Sequence, residues 1–168
     1  MPIDDLSVRL ARADELTEAG QLCVVAYTAS GHLSAGNPYA DTLRDAPGRA
    51  ASTEVLVAVR GGVVVGTVTI CPPDSPFAEI SRPDESEFRF LAVAPAAWRT
   101  GVGEALVDAC EVRAVERGRV AHVICVIDTN EEAQHFYARL GFSRLPERDW
   151  SPVPGVRLQA YRRAVPLA

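Results

Sequence analysis

No stretch of the 168-residue sequence approaches the roughly 18 consecutive apolar residues that a membrane helix requires, so a spanning segment is not expected. An excess of positive charge is also missing. Lys and Arg number 17 against 22 Asp and Glu, a net charge of −5, whereas non-specific nucleic-acid binding rests on clustered cations. A nucleic-acid partner is therefore disfavoured. Met1 to Val8 carries Asp4 and Asp5 where a signal peptide is positive, and has no apolar core, which points to a cytoplasmic protein. The four cysteines, Cys23, Cys71, Cys110 and Cys125, include no CxxC pair and suit neither a zinc site nor a disulfide framework. They read as small buried hydrophobes in a reducing compartment. His122 in an apolar run and His135 on a helix flank read as satisfied or solvated imidazoles, at spacings that fit no metal, and no metal is expected. No repeat, low-complexity tract or long linker divides the chain, so residues 1–168 read as one domain.

What is present is ample core material, 48% hydrophobic residues, arranged with clear period and punctuation. Residues 7–11 read as a strand, and Asp14 to Tyr27 as a helix. Ser30 to Ala51, with three Gly and two Pro, reads as a loop-rich connection with a weak helical pattern at Ala40 to Leu43. Glu54 to Val59 and Val63 to Ile70 are β-branched runs separated by Arg60-Gly61-Gly62, a hairpin signal. The Pro-rich stretch from Cys71 to Asp84 reads as a loop, and Glu87 to Ala94 as a strand stopped by Pro95. A helix follows to about Arg117, with Val102, Ala105, Leu106, Ala109 and Val112 on its apolar face. Ala121 to Ile127 reads as a strand covered on both faces. Asn130 or Thr129 caps the next helix, which buries Ala133, Phe136, Tyr137 and Leu140 and ends at Gly141. Strand resumes at Phe142, and after a loop from Trp150 to Gly155 a last strand spans Val156 to Tyr161. This order specifies an α/β fold with a mixed sheet and helices on both faces.

The segment from Leu91 to Leu106 carries the chemistry. A strand delivers Gly101-Val102-Gly103 directly onto a helix N-terminus, where free N–H groups and the helix dipole favour an anion such as a pyrophosphate. Arg99 adds a cation. The Rossmann fingerprint is excluded because Leu106 stands at its third glycine, and the P-loop because Gly-Lys-Ser/Thr is absent.

From Glu87 to Phe142 the chain resembles the GNAT acetyltransferase superfamily. The residues that carry the resemblance are Leu91 to Pro95, Trp98 to Gly103, and then Asn130, Ala133, Phe136, Tyr137, Gly141 and Phe142. One departure is Trp98, which stands where the family usually has Arg or Gln, with Arg99 one position later. The resemblance implies a mostly antiparallel central sheet of about seven strands whose central pair, ending near Val93 and Ile127, splays apart to admit acetyl-CoA as cosubstrate. Leu91, Ala92 and Val93 would pair with the pantetheine arm, and their strand edge would hold the thioester carbonyl as charge develops on it. Trp98, Arg99, Thr100, Gly101, Val102 and Gly103 would cradle the pyrophosphate. Asn130 is a helix cap, a cofactor contact, or both.

Acyl transfer to an amine needs a neutral nucleophile, yet an aliphatic ammonium titrates at about 10.4. Glu87 is the candidate base: alternation places it with Arg89, Leu91 and Val93 on one strand face, and the family often has a carboxylate there, acting directly or through water. The alternative is that Glu87 pairs with Arg89 or Arg82 at the surface. Glu85 is the second candidate. Tyr137, by its place in the Phe-Tyr motif, would protonate the departing thiolate; by helical spacing alone it would be a core tyrosine. The resulting expectation is an enzyme, an acyltransferase moving acetyl from acetyl-CoA by direct attack of a primary amine of a small molecule, an amino acid or a peptide N-terminus. The alternative is a non-catalytic CoA-binding regulatory or sensor domain. A homodimer stays open.

Overall fold

The computed structural model describes residues 5–167. In chain order the elements are β1 (Ser7–Leu10), α1 (Leu16–Ala29), α2 (Tyr39–Arg44), α3 (Ala46–Ala50), β2 (Glu54–Arg60), β3 (Val63–Cys71) and β4 (Glu85–Val93), followed by α4 (Val102–Glu116), β5 (Ala121–Ile127), α5 (Glu131–Arg139), β6 (Ser143–Arg144) and β7 (Leu158–Ala164). The described residues form a mixed, mostly antiparallel seven-stranded sheet in the order β1-β2-β3-β4-β5-β7-β6. The described residues make two compact units, one from residues 5–70 with Phe90–Cys110 and the other from Cys71–Arg89 with residues 111–167.

In the first unit β1 runs antiparallel to β2, and β2 to β3. Gly61 and Gly62, both at positive φ, close the β2–β3 hairpin as a two-residue turn between Arg60 and Val63. Val55 and Val57 pack with Ala19 of α1 and Ala46 of α3, bordered by Leu16, Val59 and Val64. Gly20 sits inside α1 because a Cβ there would collide with the Arg44 carbonyl, which lets α1 and α2 approach closely. The connection from Ser30 to Ala51 thus holds two short helices, with Leu43, Ala46 and Arg49 buried, where the composition suggested mostly loop.

In the second unit β5 pairs with β7 along its length, Ala121 opposite Ala164 through Ile127 opposite Leu158. The parallel β4–β5 ladder covers Glu85–Glu87 against Ala121–Val123. The last strand therefore lies later than the expected Val156 to Tyr161: its register is set by β5, and Arg162 and Arg163 disguise its apolar alternation. The apolar face of α4 is also rephased. Val102, Leu106, Val107, Cys110 and Ala114 are buried while Val112 is exposed, because apolar residues surround this helix and its period has no unique phase.

Candidate functional site

In the first unit β4 leads through a short 3-10 turn, Pro95–Ala97, to the N-terminus of α4. The Trp98 indole Nε1–H donates to the Val93 carbonyl at 2.7 Å, folding the side chain back along the strand end. Thr100 Oγ1 donates to the Ala97 carbonyl at 2.6 Å and locks the turn. Arg99 and Gly101 both take positive φ, +61° and +88°. A Cβ on Gly101 would meet nothing within 4 Å among the described residues. Val102 and Leu106 anchor the helix start in the core, and they can do so because β3 has Gly66 below them: a Cβ there would lie 2.7 Å from Val102 Cγ1 and 3.0 Å from Leu106 Cδ1. The first-turn N–H groups of α4 have no partner inside the helix, so this end can receive an anion.

Two contributors escaped the sequence reading. Gly66 interrupts a β-branched run, a signal of close backbone approach. Arg60, at the end of β2, donates to Thr100 through Nη1 to Oγ1 at 2.9 Å and Nη2 to the carbonyl at 3.3 Å, bringing a guanidinium to this turn although Trp98 supplies none. No local sequence signal joins residues 40 positions apart.

In the second unit Glu87 is fully buried, not at the surface beside Arg82 or Arg89. Its carboxylate accepts N–H bonds from Glu79 at 3.0 and 3.1 Å, Ile80 at 3.2 Å and Ser81 at 3.0 Å, drawing the Pro-rich loop onto β4. Glu79 pairs with Arg89 at 3.1 Å and keeps an exposed edge. Burial pushes the Glu79 carboxyl up; Arg89 opposes this and Glu87 adds to it. Glu85 is committed to Arg148 at 2.6 Å. Burial pushes its carboxyl up, but the Arg148 bond and the Arg82 N–H outweigh it and hold it low.

Tyr137 of α5 is 8% exposed, its ring 5.0 Å from Phe136, 5.4 Å from Phe142 and 6.1 Å from Phe88. Asn130 caps α5, its side chain accepting from Ala133 N–H at 3.0 Å. Among the described residues none of the four cysteines forms a disulfide. Burial above all drives the Cys23 thiol to about 11 and the Cys125 thiol to about 12, so neither is a ready thiolate nucleophile at neutral pH.

His122 corrects the expectation of a satisfied or solvated imidazole: it is fully buried, and neither ring nitrogen has a hydrogen-bond partner among the described residues. Burial, then the charge of Arg163, pushes it down to about 4. Between its unfolded value of about 6.5 and its folded value of about 4, the unfolded chain binds the proton and the folded chain does not. Stability contributed by neutral His122 is therefore complete above pH 6.5 and falls by about 3 kcal/mol as pH drops to 4. Urea titrations at both ends of that window check this: His122→Phe should flatten the slope, and an unchanged slope contradicts it.

Among the described residues no group of three or more His, Cys, Asp and Glu side chains could hold a metal ion, and no helix is long and apolar enough to cross a membrane. No curated protein matches the sequence significantly. Solved structures share the fold. A GNAT acetyltransferase from Staphylococcus aureus Mu50 superposes with a TM-score of 0.75 at 15% identity, over 96% of this chain and 99% of that one. A GCN5-related N-acetyltransferase from Kribbella flavida gives 0.67 at 26% identity, over 95% and 97%. A Salmonella typhimurium structure with its cofactor acetyl-CoA gives 0.66 at 18% identity, over 98% and 96%. The model of the acetyltransferase (GNAT) family matches residues 23–142, most of the sequence, and it includes both the turn before α4 and the Phe-Tyr segment of α5; the chain belongs to this acetyltransferase family.

Proposed function

We propose that the chain transfers the acetyl group of acetyl-CoA to a primary amine of a small molecule, an amino acid or a peptide N-terminus. The observation that carries this reading is the start of α4 at Val102 directly after Gly101, where an added Cβ would meet no described atom within 4 Å. Acetyl-CoA supplies the activated acetyl group. Trp98, Arg99, Thr100, Gly101, Val102 and Gly103 would hold its pyrophosphate, and backbone groups of Leu91, Ala92 and Val93 would direct its thioester. Such binding needs only backbone donors, so replacement of the family's usual Arg or Gln by Trp98 leaves it possible, and Arg60 restores a cation.

For the second unit we assign Tyr137 as the proton donor to the departing thiolate and Glu87 as the origin of proton acceptance. Because Glu87 is buried beneath the Glu79–Ser81 amides, its action on an ammonium would run through water or through the neighbouring Glu79. Asn130 primarily caps α5, which fixes the Tyr137 ring. The sensor alternative keeps the cradle without turnover.

Thiol release from acetyl-CoA across a panel of amines tests the proposal. The 17 basic side chains are all Arg, so the protein has no side-chain amine of its own to consume acetyl groups. Amine-dependent release supports the enzyme; binding without release with any amine supports the sensor. Arg60→Ala should weaken acetyl-CoA binding about threefold to tenfold, more at low salt, with little change in melting temperature. Calorimetry at two ionic strengths checks this, and unaltered affinity removes Arg60 from the cradle.

A further inference from the structure

Phe90 lies within β4 but has φ +58°, a left-handed conformation that a bulky aromatic residue rarely adopts. Such a residue turns the strand, as in a bulge, and re-aims the backbone after it, here Leu91–Val93. Glycine would take this conformation without penalty; phenylalanine requires its surroundings to hold it. Two contacts do so. The Cys23 thiol donates to the Phe90 carbonyl at 3.7 Å, and the Arg49 guanidinium lies 4.2 Å from the Phe90 ring centroid.

Arg49 is itself fixed. It is 1% exposed, and donates from Nη1 to the Thr42 carbonyl at 2.9 Å and the Leu43 carbonyl at 3.1 Å, and from Nε to Thr69 Oγ1 at 3.3 Å. Nη2 also reaches the Leu43 carbonyl at 3.1 Å and Cys23 Sγ at 3.7 Å. A buried cation is costly, and an apolar side chain would fill the same volume. What the guanidinium alone provides is a planar fork that binds the carbonyls at the end of α2 while its face covers an aromatic ring.

We infer that Arg49 is a positioning residue for acetyl transfer: anchored to α2 and β3, it clamps Phe90 in the left-handed conformation that aims the Leu91–Val93 backbone. The inference rests on the reading that this backbone directs the acetyl-CoA thioester. It concerns orientation of the reacting carbonyl, so it acts on turnover; the pyrophosphate cradle from Trp98 to Gly103 does not contain Arg49, and affinity for CoA should be spared.

The test compares wild type, Arg49→Lys, Phe90→Leu and the double variant in thiol release, with CoA affinity measured by calorimetry. Arg49→Lys should lower kcat about 10-fold to 100-fold with CoA Kd within about twofold, since misplacement of a reacting group costs rate before affinity. In the Phe90→Leu background the same substitution should cost less than about twofold more, because the ring through which it acts is gone. Unchanged kcat in Arg49→Lys, equal losses in both backgrounds, or parallel loss of kcat and CoA affinity overturns the inference. Should Arg49→Lys fail to fold, Cys23→Ala removes the thiol that touches both the Phe90 carbonyl and Arg49 Nη2 and leaves the guanidinium: kcat should fall about threefold or more with CoA Kd retained, and undiminished kcat overturns the clamp. Wild type that binds acetyl-CoA but releases no thiol with any amine overturns the transferase reading itself; wild-type turnover with an indifferent Arg49→Lys variant overturns the clamp alone.

Discussion

Tyr137→Phe should lower kcat by about 100-fold or more, leaving acetyl-CoA affinity within about twofold. The substitution removes one hydroxyl from a residue 8% exposed and keeps the ring that packs on Phe136, Phe142 and Phe88, so the fold should persist. A group that donates a proton only as the thiolate departs affects the transition state and not the bound ground state. Affinity should therefore survive while rate is lost. Equal loss of both would return Tyr137 to a packing role, and full activity would remove it from the chemistry.

Gly101→Glu should abolish measurable acetyl-CoA binding, a loss of at least about 100-fold, by setting a carboxylate against the phosphates that α4 would receive. Two effects must be separated. At φ +88° any side chain is strained, by about 1–2 kcal/mol, but no neighbour lies within 4 Å of the added Cβ, so packing is not at issue. Gly101→Asn is the control: asparagine tolerates left-handed backbone and carries no charge, so it should retain most of the affinity. Retained binding in the glutamate variant would place the phosphates elsewhere.

The features legible in the sequence were those encoded locally. Gly61-Gly62 between β-branched runs specified the hairpin, the apolar run Ala121 to Ile127 gave β5, and Thr129 or Asn130 marked the start of α5, where Asn130 is the cap. The strand, glycine turn and helix of the proposed cradle are likewise contiguous. Features set by distant partners were not legible. Arg49 and Glu87 look like surface residues until Thr42, Leu43 and Thr69, or the amides of Glu79 to Ser81, supply the bonds that permit burial. Phe90 has no intrinsic preference for its left-handed turn, and Arg60 reaches Thr100 only through the hairpin. The end of β7 depends on its register with β5, which no local period states.

Calorimetric titration with acetyl-CoA, against CoA, NAD and ATP, tests the proposed acetyl-CoA-binding cradle at the start of α4. Binding of acetyl-CoA and CoA should be saturable and lost in Gly101→Glu, with NAD and ATP much weaker. Absence of acetyl-CoA binding, or equal binding of all four, would contradict it.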